Sequence, residues 1–205
     1  MPIIKKHDFV EIEYTGRIKE DNSIFDTSEK SVVCVGENFV LKELEEQMIG
    51  KEIGKEYRFG INSDKAFGQK DTKLIQLIPM GKFRQQKIQP FPGLQLNIDG
   101  VFGVVKTVSG GRCLVDFNHP LAGKDLLYDV KIKRLVEDDK EKLDSQLLAH
   151  FHIKDAEIEL KDGSASIRLK NAVPKHAQEE FKKIAGTLIT GIKNIDFTIA
   201  EGKNK

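Results

Sequence analysis

Phe9-Val10-Glu11-Ile12-Glu13-Tyr14-Thr15-Gly16 is the stretch on which the fold turns. β-Branched and aromatic residues alternate there with glutamates, the period-two pattern of a strand with one buried face. Asp21-Asn22-Ser23 supplies turn residues before Ile24-Phe25 resumes the apolar run, so the segment predicts a β-hairpin. From Asn38 onward, Val40, Leu41, Leu44 and Met48 recur at helical spacing. That pattern predicts a helix with Glu43, Glu45 and Glu46 facing away from the core and Gly50 capping its end. Glu56-Tyr57-Arg58-Phe59-Gly60-Ile61 alternates again and predicts a further strand, ending in the loop Asn62-Ser63-Asp64.

Between about Asp71 and Pro120 the texture changes to short strands. Leu94, Leu96 and Ile98 alternate with polar residues, and Asp99-Gly100 and Ser109-Gly110-Gly111 are hairpin signals. Leu126-Leu127-Tyr128-Asp129-Val130-Lys131-Ile132-Lys133 then reads as a long strand returning to the first sheet. The β module is therefore an insertion, and a loop of about fifty residues is long enough to imply a function. Glu137 to Lys142 is a charged linker or helix start. In the last portion Ile158 with Leu160, and Ile167 with Leu169, alternate on either side of Asp162-Gly163. Pro174 suits a first helical turn, and Ala177, Phe181, Ile184, Ala185 and Leu188 repeat at helical spacing before the β-rich Ile195 to Ile199. The predicted order of this separate unit is ββαβ.

Charged residues are 32% of the 205 and apolar residues 39%, the balance of a globular chain, while the formal net charge of +1 supplies no global field for nucleic acid or an anionic bilayer. No segment approaches the roughly 20 apolar residues of a membrane span. Lys5, Lys6, His7 and Asp8 interrupt the opening residues, which argues against a signal peptide and for a cytoplasmic protein. Cys34 and Cys113 stand far apart and read as reduced, buried thiols. Walker loops, nucleophile elbows and zinc-type cysteine pairs are missing. His150 and His152, two apart on a presumptive strand, lack a third ligand, and His119 before Pro120 reads as a turn residue.

Four motifs, taken together, carry a resemblance: Val10-Glu11-Ile12-Glu13-Tyr14-Thr15-Gly16, Ile24-Phe25-Asp26-Thr27-Ser28, Ala66-Phe67-Gly68-Gln69 and Asn118-His119-Pro120-Leu121-Ala122-Gly123. In order and spacing they resemble a SlyD-like FKBP over residues 1 to about 137, and long archaeal FKBPs are similar in carrying an extra C-terminal domain. The resemblance implies an α+β protein. An FKBP antiparallel sheet would wrap on one amphipathic helix (residues 1–70 and 121–137), with a small all-β insert-in-flap domain (71–120) and a C-terminal ββαβ domain (138–205).

The activity so implied is peptidyl-prolyl cis/trans isomerisation, with no cofactor. Its groove would take Tyr14, Phe25 and Asp26 from the first strands and Val40, Leu41 and Leu44 from the helix, closed by Phe67 and Tyr128. Leu44 stands where the vertebrate pattern has a floor tryptophan, and Phe67 where it has a tyrosine; both changes keep the pocket apolar and count against tight macrolide binding. Asp26 is read as a polar anchor for substrate or for Tyr14, since no proton moves in the reaction. Phe83, Ile88, Phe91, Leu94, Phe102 and Val104 exceed what a small sheet needs for its own core, and by resemblance form a surface for unfolded chains. The partners so implied are unfolded proteins with X-Pro bonds, without nucleic acid or membrane. The terminal domain would either dimerise the protein or extend the client surface. The ending Glu201-Gly202-Lys203-Asn204-Lys205 holds no metal ligands. Competing readings are a holdase on the same fold without catalysis, and a thiol enzyme using Cys34 or Cys113.

Overall fold

The computed structural model describes residues 2–98, 100–154 and 156–199. Asp99 of the Asp99-Gly100 turn and the segment 201–205 lie outside them. The chain divides into two compact units, one built from residues 1–17, 24–59 and 127–205 and the other from 18–23 and 60–126.

In the first unit, β1 (Phe9–Ile18) pairs antiparallel with β2 (Ile24–Cys34). These strands join β8 (Leu126–Leu135) and β3 (Glu56–Ile61) in a sheet of order β2-β1-β8-β3. Val10, Ile12, Val33, Val130 and Ile132 are buried on one face, and Phe9 and Glu11 are buried as well, so the start of β1 is covered on both faces. The β1–β2 register slips between Ile12, opposite Ser31, and Tyr14, opposite Ser28. Such a bulge re-aims the residues that follow it, and here it leaves Gly16 opposite Asp26.

The predicted helix is shorter than its periodicity suggests. α1 spans Lys42–Met48; Val40 and Leu41 precede it on an irregular loop in which Asn38 has φ 62°. Leu44 and Met48, one turn apart, are fully buried, and Gly50 follows with φ 81°. Glu45 does not face away. It is 1% exposed, and its carboxylate accepts hydrogen bonds from the backbone N–H groups of Gly36 (2.7 Å), Asn38 (3.0 Å) and Val40 (3.0 Å). Three otherwise orphaned donors of the loop outweigh the cost of burying the carboxylate.

α3 (Asp139–Phe151) begins where the charged linker was predicted, capped by the Asp138 carboxylate, which accepts from the Glu141 N–H. His150 thus lies in the last helical turn, and His152 is the left-handed C-cap at φ 56°, rather than on a strand. β9 (Glu157–Lys161), β10 (Ser164–Leu169), α4 (Lys175–Leu188) and β11 (Asn194–Ile199) follow. β10 pairs antiparallel with β9 and parallel with β11. Pro174 caps α4 instead of entering its first turn. Leu143, Leu147, Ile167 and Phe181 of this segment share one core with Phe9, Cys34 and Val136. The terminal segment therefore packs on the first sheet as part of the same compact unit.

The second unit holds an antiparallel sheet of order β4-β7-β6-β5, formed by β4 (Ile75–Pro79), β5 (Gln95–Ile98), β6 (Val101–Ser109) and β7 (Arg112–Asp116). Gly110 and Gly111, both at positive φ, turn β6 into β7. The module is not all-β: a 3-10 turn covers Thr72–Leu74, and α2 occupies Met80–Gln85. Six residues are too few for helical periodicity to register in sequence. α2 buries Phe83 against Leu96, Val105, Cys113 and Val115.

Candidate functional site

Three strands of the first sheet bring Tyr14, Phe25, Asp26 and Tyr128 together. The Tyr14 hydroxyl donates to Asp26 Oδ2 at 2.9 Å. Its ring lies 6.0 Å from that of Tyr128, which receives Phe25 edge-on at 5.7 Å and 87°. Gly16 makes this approach feasible, because a Cβ there would stand 2.7 Å from Phe25 Cζ and 3.1 Å from Tyr128 Cε1. Tyr128 is buried, Tyr14 and Phe25 are half-buried and Asp26 is exposed, so the cluster is apolar beneath and open at its charged edge.

Burial first, then the hydrogen bond to Asp26 and its negative charge, push the Tyr14 hydroxyl up to about 12. Burial likewise raises Tyr128, with the Asp26 charge adding to it. Both phenols are therefore neutral donors at physiological pH, suited to hydrogen bonding and unsuited to proton abstraction.

Tyr14 and Val40 also line a cavity of about 500 Å³. Leu41 is half-buried and Leu44 wholly buried, and neither lines it. The opposite wall comes from α3, a contribution with no sequence signal because it depends on where the helix docks. Gly16 likewise carries no site signal in the sequence beyond its place two residues after Tyr14.

Phe67 belongs to the second unit, where its ring stacks on His119 at 4.3 Å and 6°. His119 Nδ1 accepts from the Leu121 N–H at 3.2 Å, which makes it a turn residue. Of the six apolar residues assigned to client binding, Phe83 is 3% exposed and belongs to the module's core, and Ile88 and Leu94 pack partly buried against it. Val104 is half-buried. Phe102 and Phe91 stand out at 73% and 57% exposure, joined by Leu77 and Val101, which period-two alternation did not flag.

Cys34 is buried, and its thiol is pushed up to about 12 by burial and by the nearby carboxylates of Glu37, Glu45 and Asp8. Cys113 is also buried and raised by desolvation. Neither has the thiolate character a nucleophile needs. Among the described residues no group of three or more His, Cys, Asp or Glu is placed to hold a metal ion, and no helix is long and apolar enough to cross a membrane.

A short-type peptidyl-prolyl cis-trans isomerase of Methanocaldococcus jannaschii is 30% identical over 148 residues, covering 64% of this chain and 93% of the relative. The chain belongs to the FKBP-type peptidyl-prolyl cis-trans isomerase family. A probable FKBP-type 16 kDa isomerase of Pseudomonas fluorescens is 29% identical, over 60% of this FKBP and 85% of the relative. The SlyD isomerase of Aeromonas hydrophila is also 29% identical, over 72% of this FKBP and 69% of the relative. A family model described as "FKBP26, IF domain" matches residues 76–121, inside the second compact unit. This FKBP is an enzyme, a peptidyl-prolyl cis/trans isomerase.

Proposed function

We propose that the protein accelerates X-Pro isomerisation in unfolded polypeptides at the Tyr14-Phe25-Asp26-Tyr128 cluster, as a SlyD-like long-form FKBP of the cytoplasm. What carries the reading is the 2.9 Å hydrogen bond from Tyr14 to Asp26, which orients one phenol beside two further rings in a chain of this family. Rotating a prolyl amide breaks the resonance that keeps it planar, across a barrier of about 18–20 kcal/mol. Water stabilises the planar, charge-separated amide better than the twisted one, so a ring-lined cleft lowers the barrier by withdrawing water. Each ~1.4 kcal/mol so gained is about tenfold in rate.

The division of labour follows the sequence boundaries for the isomerase, residues 1–70 and 121–137, and for the insert-in-flap chaperone, 71–120, while the segment from 138 shares the isomerase's core. Phe91 and Phe102 are the exposed rings that suit an unfolded client. A client held there has its prolines tethered to the enzyme, which raises their effective concentration at the cleft.

The test is refolding of a protein limited by proline isomerisation, with catalytic amounts of the intact chain, beside a prolyl-peptide assay. Acceleration in both supports the reading. Suppression of aggregation with no acceleration in either would leave a holdase.

A further inference from the structure

We infer that helix α3 of the terminal segment forms a second wall of the substrate cleft, and that Leu148 and Asp144 select the residues flanking the isomerised proline. This rests on the functional reading above and adds a specificity surface to it.

The cavity of about 500 Å³ has Tyr14, Val33, Phe39 and Val40 on its sheet side and Asp144 and Leu148 on its helix side. Tyr14 is shared between the ring cluster and this cavity, whereas Phe25, Asp26 and Tyr128 do not line it, so the two adjoin at Tyr14. The cavity's size is that of sites that hold small ligands, and so suits the side chains beside a proline.

α3 presents two different faces. Leu143 and Leu147 are wholly buried in the core, whereas Leu148, one residue further on, is 42% exposed and lines the cavity one turn from Asp144. A large aliphatic side chain open to water across the cavity from half-buried Phe39 and Val40 is the arrangement an apolar client side chain would complete.

Two of the other charges at this cavity, Lys30 and Glu141, are compensated from within, while Lys154 lines it exposed at its rim. Lys30 Nζ lies 3.3 Å from Glu141 Oε1, and Arg134 Nη2 holds both oxygens of Glu141 at 2.7 and 2.9 Å. Asp144 makes no ion pair within 4.0 Å among the described residues; the charge of Lys140 acts on it from further along α3, and those of Asp138 and Glu141 oppose it. Half-buried, Asp144 would favour a client lysine or arginine beside the apolar residue. Phe39 meets His150 edge-on at 6.4 Å and 84°, a contact between the strand-side loop and the end of α3.

The experiment uses the full chain and a panel of X-Pro peptides with Gly, Leu, Phe, Lys or Glu in the positions flanking proline. In the wild type, Leu and Phe should be favoured over Gly, and Lys over Glu. Leu148→Glu should lower the Leu-to-Gly ratio of kcat/KM about tenfold, the usual scale for losing one apolar contact. Asp144→Asn should lower the Lys-to-Glu ratio. Ala149→Phe, which narrows the same cavity from an exposed position, should repeat the selective loss against Phe. Circular dichroism and the thermal midpoint would show that each variant is folded. Equal changes across the whole panel, or none, in an active enzyme would overturn the inference alone. A wild-type protein inactive on every peptide would overturn the functional reading and this inference with it.

Discussion

Glu45 Oε1 accepts a hydrogen bond from the Val40 N–H at 3.0 Å, so a buried carboxylate on the helix holds the loop residue that borders Tyr14's cavity. The same carboxylate also binds the N–H groups of Gly36 and Asn38. Glu45→Ala would leave all three donors unsatisfied and should cost roughly 3 kcal/mol. Glu45→Gln keeps one acceptor oxygen and should cost less. Denaturant unfolding with both variants measures the difference, and equal stability of wild type and Ala variant would contradict the role.

Tyr14 should titrate late. Burial and Asp26 favour its neutral form, with a folded value of about 12 against an ordinary value near 10. The stabilisation is therefore fully present below pH ~10 and is lost as pH rises through about 12. The difference in tyrosinate absorbance between wild type and Tyr14→Phe should appear near the upper value. Appearance at the lower one would sink the hydrogen-bonded assignment. The Phe variant should also lose about 1 kcal/mol of stability and part of its isomerase rate.

Gly16→Ala places a methyl group 2.7 Å from Phe25 Cζ. The ring must move, at a cost of about 1–3 kcal/mol. The expected result is a folded protein with reduced kcat/KM on every prolyl peptide. Unchanged activity would mean that the packing of Phe25 on Tyr128 does not matter to catalysis.

Cys34 and Cys113 should resist iodoacetamide in the native protein at neutral pH and react only after unfolding. Mass spectrometry of the native and denatured samples decides this. Rapid native labelling of Cys34 would restore the thiol-enzyme reading.

Phe91→Ser with Phe102→Ser should reduce refolding of protein clients more than turnover of short peptides, since both rings lie exposed on the inserted module. Equal losses on the two substrates would argue against a separate client surface.

Much of this was legible in one dimension. Alternation from Phe9 to Tyr14 marks a strand because side chains on a strand face opposite ways, but Phe9 and Glu11 are buried along with Val10 and Ile12 since the second face is covered too. The glycines at 110 and 111 mark the turn between β6 and β7 because they sit at positive φ. The failures have physical causes too. A glutamate on a helix usually faces solvent, yet the loop at Gly36 to Val40 offers Glu45 three N–H donors that no pattern on the helix records. Phe83 looked surplus because its six-residue helix α2 is too short to show a period.

The sequence by itself determined the first hairpin, β3, β8 and the turn at Gly110-Gly111, since these rest on local periodicity and turn residues. Its motifs named Tyr14, Phe25, Asp26 and Tyr128, which the sheet brings together, beside Phe67, which stacks on His119 in the second unit instead. Only the tertiary structure decided that Leu143 and Leu147 share a core with Phe9 and Cys34, leaving Leu148 and Asp144 facing Tyr14's cavity. The burial of one stripe of a helix is chosen by the surface it meets, and that surface is more than one hundred residues away along the chain.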